Sequence, residues 1–259
     1  MIPENIPLDV LYEDHDMLVI NKPSGMIMQF VSGSVERAVV SYLNSTTVSA
    51  YGTPLWPWET STSFEGIVHR IDKETSGILV VAKHPVAAKA LHESFHQRRV
   101  DKTYLAIAVG LPTTTTTTAN AKQKQQTPSS NIVVNAPIGR LGTRKRLMGI
   151  VSTDDGGRDA KSIVIPLAYN GIHSLNRIVI ETGRTHQIRV HMSSVLDCPL
   201  VGDPMYASTT ITTNNNNDDN NYRCMLHAFE LTIPHPTTGD PIKIVCDPPS
   251  DFSSLSNTI

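Results

Sequence analysis

Two short stretches carry residue types able to do chemistry. "HESFH" (92–96) sets two histidines one helical turn apart with a glutamate beside the first, the zinc-hydrolase spacing H-E-x-x-H. There, His92 and His96 would share an ion and Glu93 would act as general base. "HRIDKETSG" (69–77) crowds Asp72 with His69, Arg70 and Lys73 ahead of a glycine turn. A cation a few ångströms away favours the ionised carboxylate, and an ionised carboxylate at a strand edge is a competent nucleophile. The plainer alternative is an Asx-type turn with a surface ion pair.

The elements that must position these residues follow from the hydrophobic pattern. "MLVINKP" (17–23) reads as a strand stopped by Pro23 and Gly25. "SVERAVVSYL" (34–43) reads as a helix with Ser34 at its N-cap. "GILVVAK" (77–83) is a buried strand, and Pro85 opens the helix "PVAAKALHESFHQRR" (85–99). Ala88, Leu91 and Phe95 make the core-facing stripe of that helix. Further strands are expected at 102–110, 131–139, near 162–168, and at 175–183, 225–233 and 241–246, with a helix over "RTHQIRVHMSSVL" (184–196). Strands outnumber helices and often follow one another, so the expected class is α+β with a mixed, largely antiparallel sheet flanked by helices. "TTTTTTANAKQKQQTPSS" (113–130) and the Thr/Asn/Asp tract 208–221 have little to bury and read as low-complexity surface insertions.

The zinc reading lacks a third ligand. Residue 99 is Arg99 and no histidine follows closely, while after Glu93 the next glutamate is Glu181. A protein-kinase catalytic loop is also excluded, because Ile71 separates Arg70 from Asp72 and no glycine-rich phosphate loop exists.

"HRIDKETSGILVVAK" resembles the signature of the RluA-type pseudouridine synthases, and so do other segments in the order that family has them. They are "YEDHDMLVINKPSGM" (12–26), "RRVDKTYLAIAVG" (98–110), "ETGRTHQIRVHM" (181–192), "PLVGDPMY" (199–206) and "LHAFELTIPHPTTGDPIKIVCDPP" (226–249). The resemblance implies the family's bent sheet with a central active-site cleft, in one catalytic domain over residues 1–259. It also implies an isomerase that turns uridine in rRNA or tRNA into pseudouridine without cofactor or metal. The target base must leave its stack to reach such a site. By the same resemblance Asp72 is the nucleophile, Arg189 the cation expected to pair with it, and Tyr104 the aromatic that packs on the base. Arg70 matches the residue that fills the space of the flipped base. His69, Lys22, Arg184 and His186 are candidates for RNA contacts, with structural roles as the alternative. Attack on the uracil ring and attack on the sugar C1′ both stay open.

A net charge of −2 excludes a globally basic nucleic-acid binder, though not a local basic cleft. Basic clusters lie at Arg98, Arg99 and Lys102 and at Arg140, Arg144, Lys145 and Arg146. Three dispersed cysteines without C-x-x-C imply neither a disulfide framework nor a zinc knuckle, and point to a reducing compartment. No apolar run approaches the ~20 residues of a membrane helix. The opening "MIPENIPLDVLYED" carries no targeting pattern. The chain opens only about a dozen residues before the first motif of the resembled family. Unlike that family's larger members, it is therefore expected to have no N-terminal RNA-binding module. A monomer in cytoplasm or nucleus is expected, with an organelle as the alternative.

Overall fold

The computed structural model describes residues 4–28, 31–51, 66–113, 131–142, 147–207 and 222–259. The expected insertions, from residue 114 to 130 and from 208 to 221, lie outside them, as do Arg144, Lys145 and Arg146. The chain packs as two units, Met1–Lys102 with Ala228–Pro248, and Thr103–His227 with Pro249–Ile259.

In the first unit, β1 (Asp9–Glu13) and β2 (Met17–Lys22) form an antiparallel hairpin. Asp14 closes its turn, its Oδ1 accepting from the amides of Asp16 and Met17, both at 2.8 Å. β3 (Ser76–Ala82) runs antiparallel to β2 from Met17 opposite Ala82 to Lys22 opposite Gly77. All seven β3 residues are buried, as its unbroken apolar run requires. The strand order is β1-β2-β3-β10, with β11 (Pro241–Val245) antiparallel on β10 (Leu226–Pro234). Close passage of β10 explains Gly77: a Cβ there would lie 2.3 Å from the Ala228 carbonyl oxygen, and its φ is +108°.

α1 (Val35–Tyr51) starts after Ser34, whose Oγ accepts from the Arg37 amide at 3.4 Å. α2 (Pro85–His96) begins with Pro85 behind an N-cap, His84, whose ring accepts from the Ala87 amide. It stops at His96 rather than Arg99. Arg98 adopts φ +57° and the Arg99 amide turns back to the Ser94 carbonyl at 2.9 Å, a closure more often built on glycine.

The second unit holds strands in the order β4-β9-β8-β5: β4 (Asp101–Val109), β9 (His173–Ile180), β8 (Lys161–Tyr169) and β5 (Ile132–Asn135). Every pairing among them is antiparallel. β8 and β9 alternate buried with less buried residues, the period-two pattern of a sheet with one face on the core. β6 (Ile138–Arg140) and β7 (Met148–Ile150) form a separate hairpin. Residues 131–139 are thus two strands, not one, divided at Ala136 and Pro137, where proline offers no ladder N–H.

The helix expected over 184–196 is a single α turn, α3 (Gln187–Val190), running into a π-helical turn at His191–Val195. His186 precedes it with φ +56°, outside helical space. α4 (Ser250–Ser256) was not apparent in the sequence; its Phe252 and Leu255 pack with Ile107, Val201 and Met225. The α+β class with a largely antiparallel sheet holds.

Candidate active site

The Asp72 loop leaves the edge of β3 at a defined point. The Ala82 amide donates to the Gly66 carbonyl at 2.9 Å, and Ile67 bridges Val81 in antiparallel sense. The Val80 amide donates at 2.8 Å to Nε2 of His69. An Nε2 that accepts has its proton on Nδ1, so the ring is neutral. Its other support is Phe95 of α2, stacked with ring centroids 4.5 Å apart and planes 20° apart. Desolvation, followed by the nearby Lys102 charge, lowers the His69 pKa to about 3.

The far side of the loop is tied to the turn after β2. The Lys73 carbonyl accepts from the Gly25 amide at 2.8 Å and from Lys22 Nζ at 3.1 Å. Ser24 Oγ donates to the Glu74 carbonyl at 2.7 Å, and the Thr75 amide closes on the Asp72 carbonyl at 3.1 Å. Lys22 is wholly buried and also donates to the Pro23 and Met26 carbonyls, at 2.7 and 3.0 Å. It is therefore no lining residue for RNA; its ammonium gathers three backbone carbonyls. Ile71 is buried, Asp72 half-buried and Arg70 exposed, so the loop anchors its apolar residue and turns the chemistry-bearing ones outward.

The remaining candidates lie in the second unit. Tyr104 is half-buried on β4 opposite Ile178, packed against the core of Ala106, Ile178, Ile188 and Leu226. Arg189 is buried and grips Asp203 with two bonds, Nε to Oδ2 and Nη2 to Oδ1, each 2.7 Å. Asp203 Oδ1 also accepts the amides of Met205 and Tyr206, at 2.9 and 3.1 Å. The guanidinium carbon of Arg189 stands 5.0 Å over the Tyr206 ring. The Tyr206 hydroxyl in turn meets His186 Nδ1 at 2.8 Å.

Arg184 donates from Nε to the Asp159 carbonyl at 2.9 Å, and its amide to Gln187 Oε1 at 3.0 Å. Gln187 Nε2 donates to Ser162 Oγ at 3.0 Å, and that hydroxyl meets His191 Nδ1 at 2.9 Å. His191 Nε2 faces the Ala136 carbonyl at 3.0 Å, so it carries the ring proton. Burial lowers the pKa of His191.

Asp203, Gln187 and His191 were not singled out by residue type, although "PLVGDPMY" and "GRTHQIRVHM" contain them. The readable signal was Gly202, where a Cβ would meet the Arg223 carbonyl oxygen at 2.2 Å.

His92, Glu93 and His96 are exposed, and Glu93 accepts from Gln97 Nε2 at 2.8 Å. Among the described residues, the group with ligand atoms close enough to share an ion is instead His15, Asp16 and His84. There His84 Nδ1 accepts the Ala87 amide, so Nε2 carries the proton it gives Asp16 at 2.9 Å. His235 repeats the arrangement: Nδ1 takes the Thr237 and Thr238 amides, and Nε2 donates to Asp14 at 2.9 Å. Rings locked with a proton toward the carboxylates do not ligate a cation through that nitrogen. Burial works against the Asp16 charge, but hydrogen bonds from Thr237, His84 and His15 outweigh it. They hold the carboxyl well below the usual range.

One basic side chain, Lys102, acts electrostatically on His69 of the loop. Arg98 and Arg99 are exposed, and Lys102 is half-buried with its pKa lowered by desolvation and by Arg98.

The family model described as RNA pseudouridylate synthase matches residues 16–194. An uncharacterised RNA pseudouridine synthase of Synechocystis is 35% identical over 98% of this chain and 70% of its own length. Ribosomal large subunit pseudouridine synthase D of Pseudomonas aeruginosa is 34% identical over 97% of this chain and 71% of its own. Among solved structures, human RNA pseudouridylate synthase domain containing 1 superposes with TM-score 0.69 at 26% identity, covering 100% of this chain and 90% of that one. Human RNA pseudouridylate synthase domain containing 4 shares the fold, with TM-score 0.70 at 24% identity over 96% and 92%. The chain belongs to the RluA-type family of RNA pseudouridine synthases, which are isomerases.

Proposed function

We propose that this chain isomerises specific uridines in structured RNA with Asp72 as nucleophile, and that ribosomal RNA is the first substrate to test. The observation that carries the reading is the Asp72 loop itself. The loop that carries the half-buried Asp72 is tied to β3 through the His69 imidazole ahead of it and to the turn after β2 through the Lys73 and Glu74 carbonyls behind it. Such anchoring keeps a reacting group near one geometry, which is what nucleophilic catalysis requires. Two relatives, each 34% identical to this chain and named for the ribosomal large subunit, support the substrate class.

In the reaction the C1′–N1 bond breaks and a C1′–C5 bond forms after the base turns. C5 loses its proton to solvent and N1 gains one, so the product is an isomer of the substrate. Tyr104 is assigned to pack on the base, Arg189 to serve the carboxylate as cation, and Arg70 to occupy the space the base leaves. His186 and Arg184 are assigned to RNA contacts. His69 and Lys22 are assigned to the loop rather than to RNA. A single catalytic domain over the chain is part of this reading, which the family match over residues 16–194 supports. The protein needs no cofactor, and RNA affinity comes from Arg98, Arg99 and Lys102 with the Arg140–Arg146 cluster.

The test is tritium release from [5-³H]uridine-labelled large-subunit ribosomal RNA transcript. Wild type is expected to release tritium, and Asp72→Asn to bind the transcript without release. Full activity of Asp72→Asn ends the assignment. Binding without turnover by wild type on ribosomal, transfer and total cellular RNA makes the chain a non-catalytic relative.

A further inference from the structure

We propose that His69 and Phe95 are positioning residues for Asp72: the stacked pair ends the pairing with β3 at a fixed rung and thereby sets where the nucleophile stands. This rests on the reading of Asp72 as the nucleophile.

The geometry is that of a ladder cut short by a side chain. With Gly66 taking the Ala82 amide and Ile67 opposite Val81, the next outward amide of β3 is that of Val80. A continuing antiparallel ladder would hand that amide to the carbonyl of Val68. It goes to the imidazole of His69 instead, at 2.8 Å. A buried strand amide cannot be left unmet, so the ring both satisfies the rung and releases the main chain from the sheet. The chain then departs three residues ahead of Asp72.

Phe95 decides which way the ring can sit. It arrives from α2, the helix that follows β3, and lies nearly parallel to His69 at 4.5 Å. In the "HESFH" stretch, then, the functional residue is the phenylalanine and not the histidines. Lys102 on the entry to β4 places a positive charge near the ring, which adds to the desolvation that keeps it neutral. A permanently neutral ring with Nε2 committed to Val80 acts as a spacer. As a charged phosphate ligand it would have to abandon that rung.

Three variants and one spectrum separate these roles, with RNA turnover measured on the [5-³H]uridine ribosomal transcript. Phe95→Leu keeps an apolar side chain at this half-buried position but removes the stacking face. His69→Ala removes the acceptor for Val80, and His69→Gln restores an acceptor through its amide oxygen. Phe95→Leu and His69→Ala are expected to lower kcat by about 10- to 100-fold, since small misplacements cost that much. Kd for the transcript should stay within about twofold by the same argument, and His69→Gln should recover most of the rate. His92→Ala, exposed on the same helix, is the control. In wild type, ¹⁵N NMR should show an unprotonated Nε2 on His69 from pH 5 to 8 with no titration.

Unchanged kcat in Phe95→Leu and His69→Ala, while Asp72→Asn stays inactive, overturns the positioning role and leaves the nucleophile standing. So does a His69→Ala protein weakened in RNA binding alone, or a His69 that titrates near 6.5. Activity in Asp72→Asn instead removes the reading on which the proposal rests.

Discussion

Removing the Asp203 carboxylate should destabilise the second unit more than any surface substitution. The side chains of Arg189 and Asp203 are 4% and 0% exposed, so water does not replace a lost partner. Asp203→Ala deletes two 2.7 Å bonds to the guanidinium and the acceptor for the Met205 and Tyr206 amides. Breaking one side of such a buried pair costs about 3–5 kcal/mol, because the guanidinium loses its two bonds to Asp203 where water does not replace them. At ~2–4 °C per kcal/mol for a chain of this size, Tm falls by roughly 6–20 °C.

The same argument has a counterpart. Asp203→Leu combined with Arg189→Met removes both charges and should recover at least half of the loss, since apolar replacement of a buried pair is often neutral. Urea unfolding at pH 7 gives the free energies, with unchanged m-values as the check that denatured-state compactness did not shift. A loss below about 1 kcal/mol in Asp203→Ala would refute the reasoning. So would a double variant no more stable than the single one.

Other consequences are simpler to read. Lys22→Met leaves three carbonyls without their ammonium, so stability should drop by about 2–4 kcal/mol while RNA affinity and its salt dependence stay unchanged; a reduced salt slope would restore Lys22 to the RNA surface. Gly77→Ala forces a Cβ to within 2.3 Å of the Ala228 carbonyl oxygen and should cost about 3 kcal/mol or more, seen as loss of soluble protein or a depressed Tm. The folded pKa of Asp16 lies below its ordinary 3.8, so its contribution is complete above that value and is lost as pH falls through and below it. Asp16→Asn should therefore flatten the stability–pH curve below about pH 4, and an unaltered acid limb in urea titrations would argue against the hub. Chelator treatment and His96→Ala should leave turnover unchanged, and zinc-dependent loss of activity would bring the metal site back.

Periodicity made most of the frame legible. β2, β3 and the first turn of α2 appear where apolar runs, Pro23 and Pro85 place them, because burial on both faces keeps β3 apolar from residue 78 to 82. Helix ends were less legible. Arg98 and His186 take positive φ without being glycine, so composition gave no sign of the α2 stop or of the late start of α3.

Charge was the least reliable guide to role. Lys22 and Arg189 are both buried cations, one donating to main-chain carbonyls and one gripping Asp203. Carbonyl acceptors are present at every residue and so cannot be read from side-chain types. Asp203 was hidden for a related reason, since its partner lies across a loop from Arg189 and no fixed spacing announces it. The aromatic that supports His69 was visible only as a core residue, because stacking between a loop and the next helix has no sequence period.

The first unit is discontinuous, built from residues up to Lys102 and again from Ala228 to Pro248. During synthesis, β1, β2 and β3 leave the ribosome early, but β10 and β11 follow only after the intervening chain has been made. At ~5–20 residues per second that interval is on the order of ten seconds. Throughout it, β3 is apolar on both faces and lacks the neighbour that covers its open edge, the situation that invites edge-to-edge aggregation. Yield from the cell should then depend on how quickly the last strands arrive. Substitutions in β10 or β11 would act on solubility long before they touch catalysis.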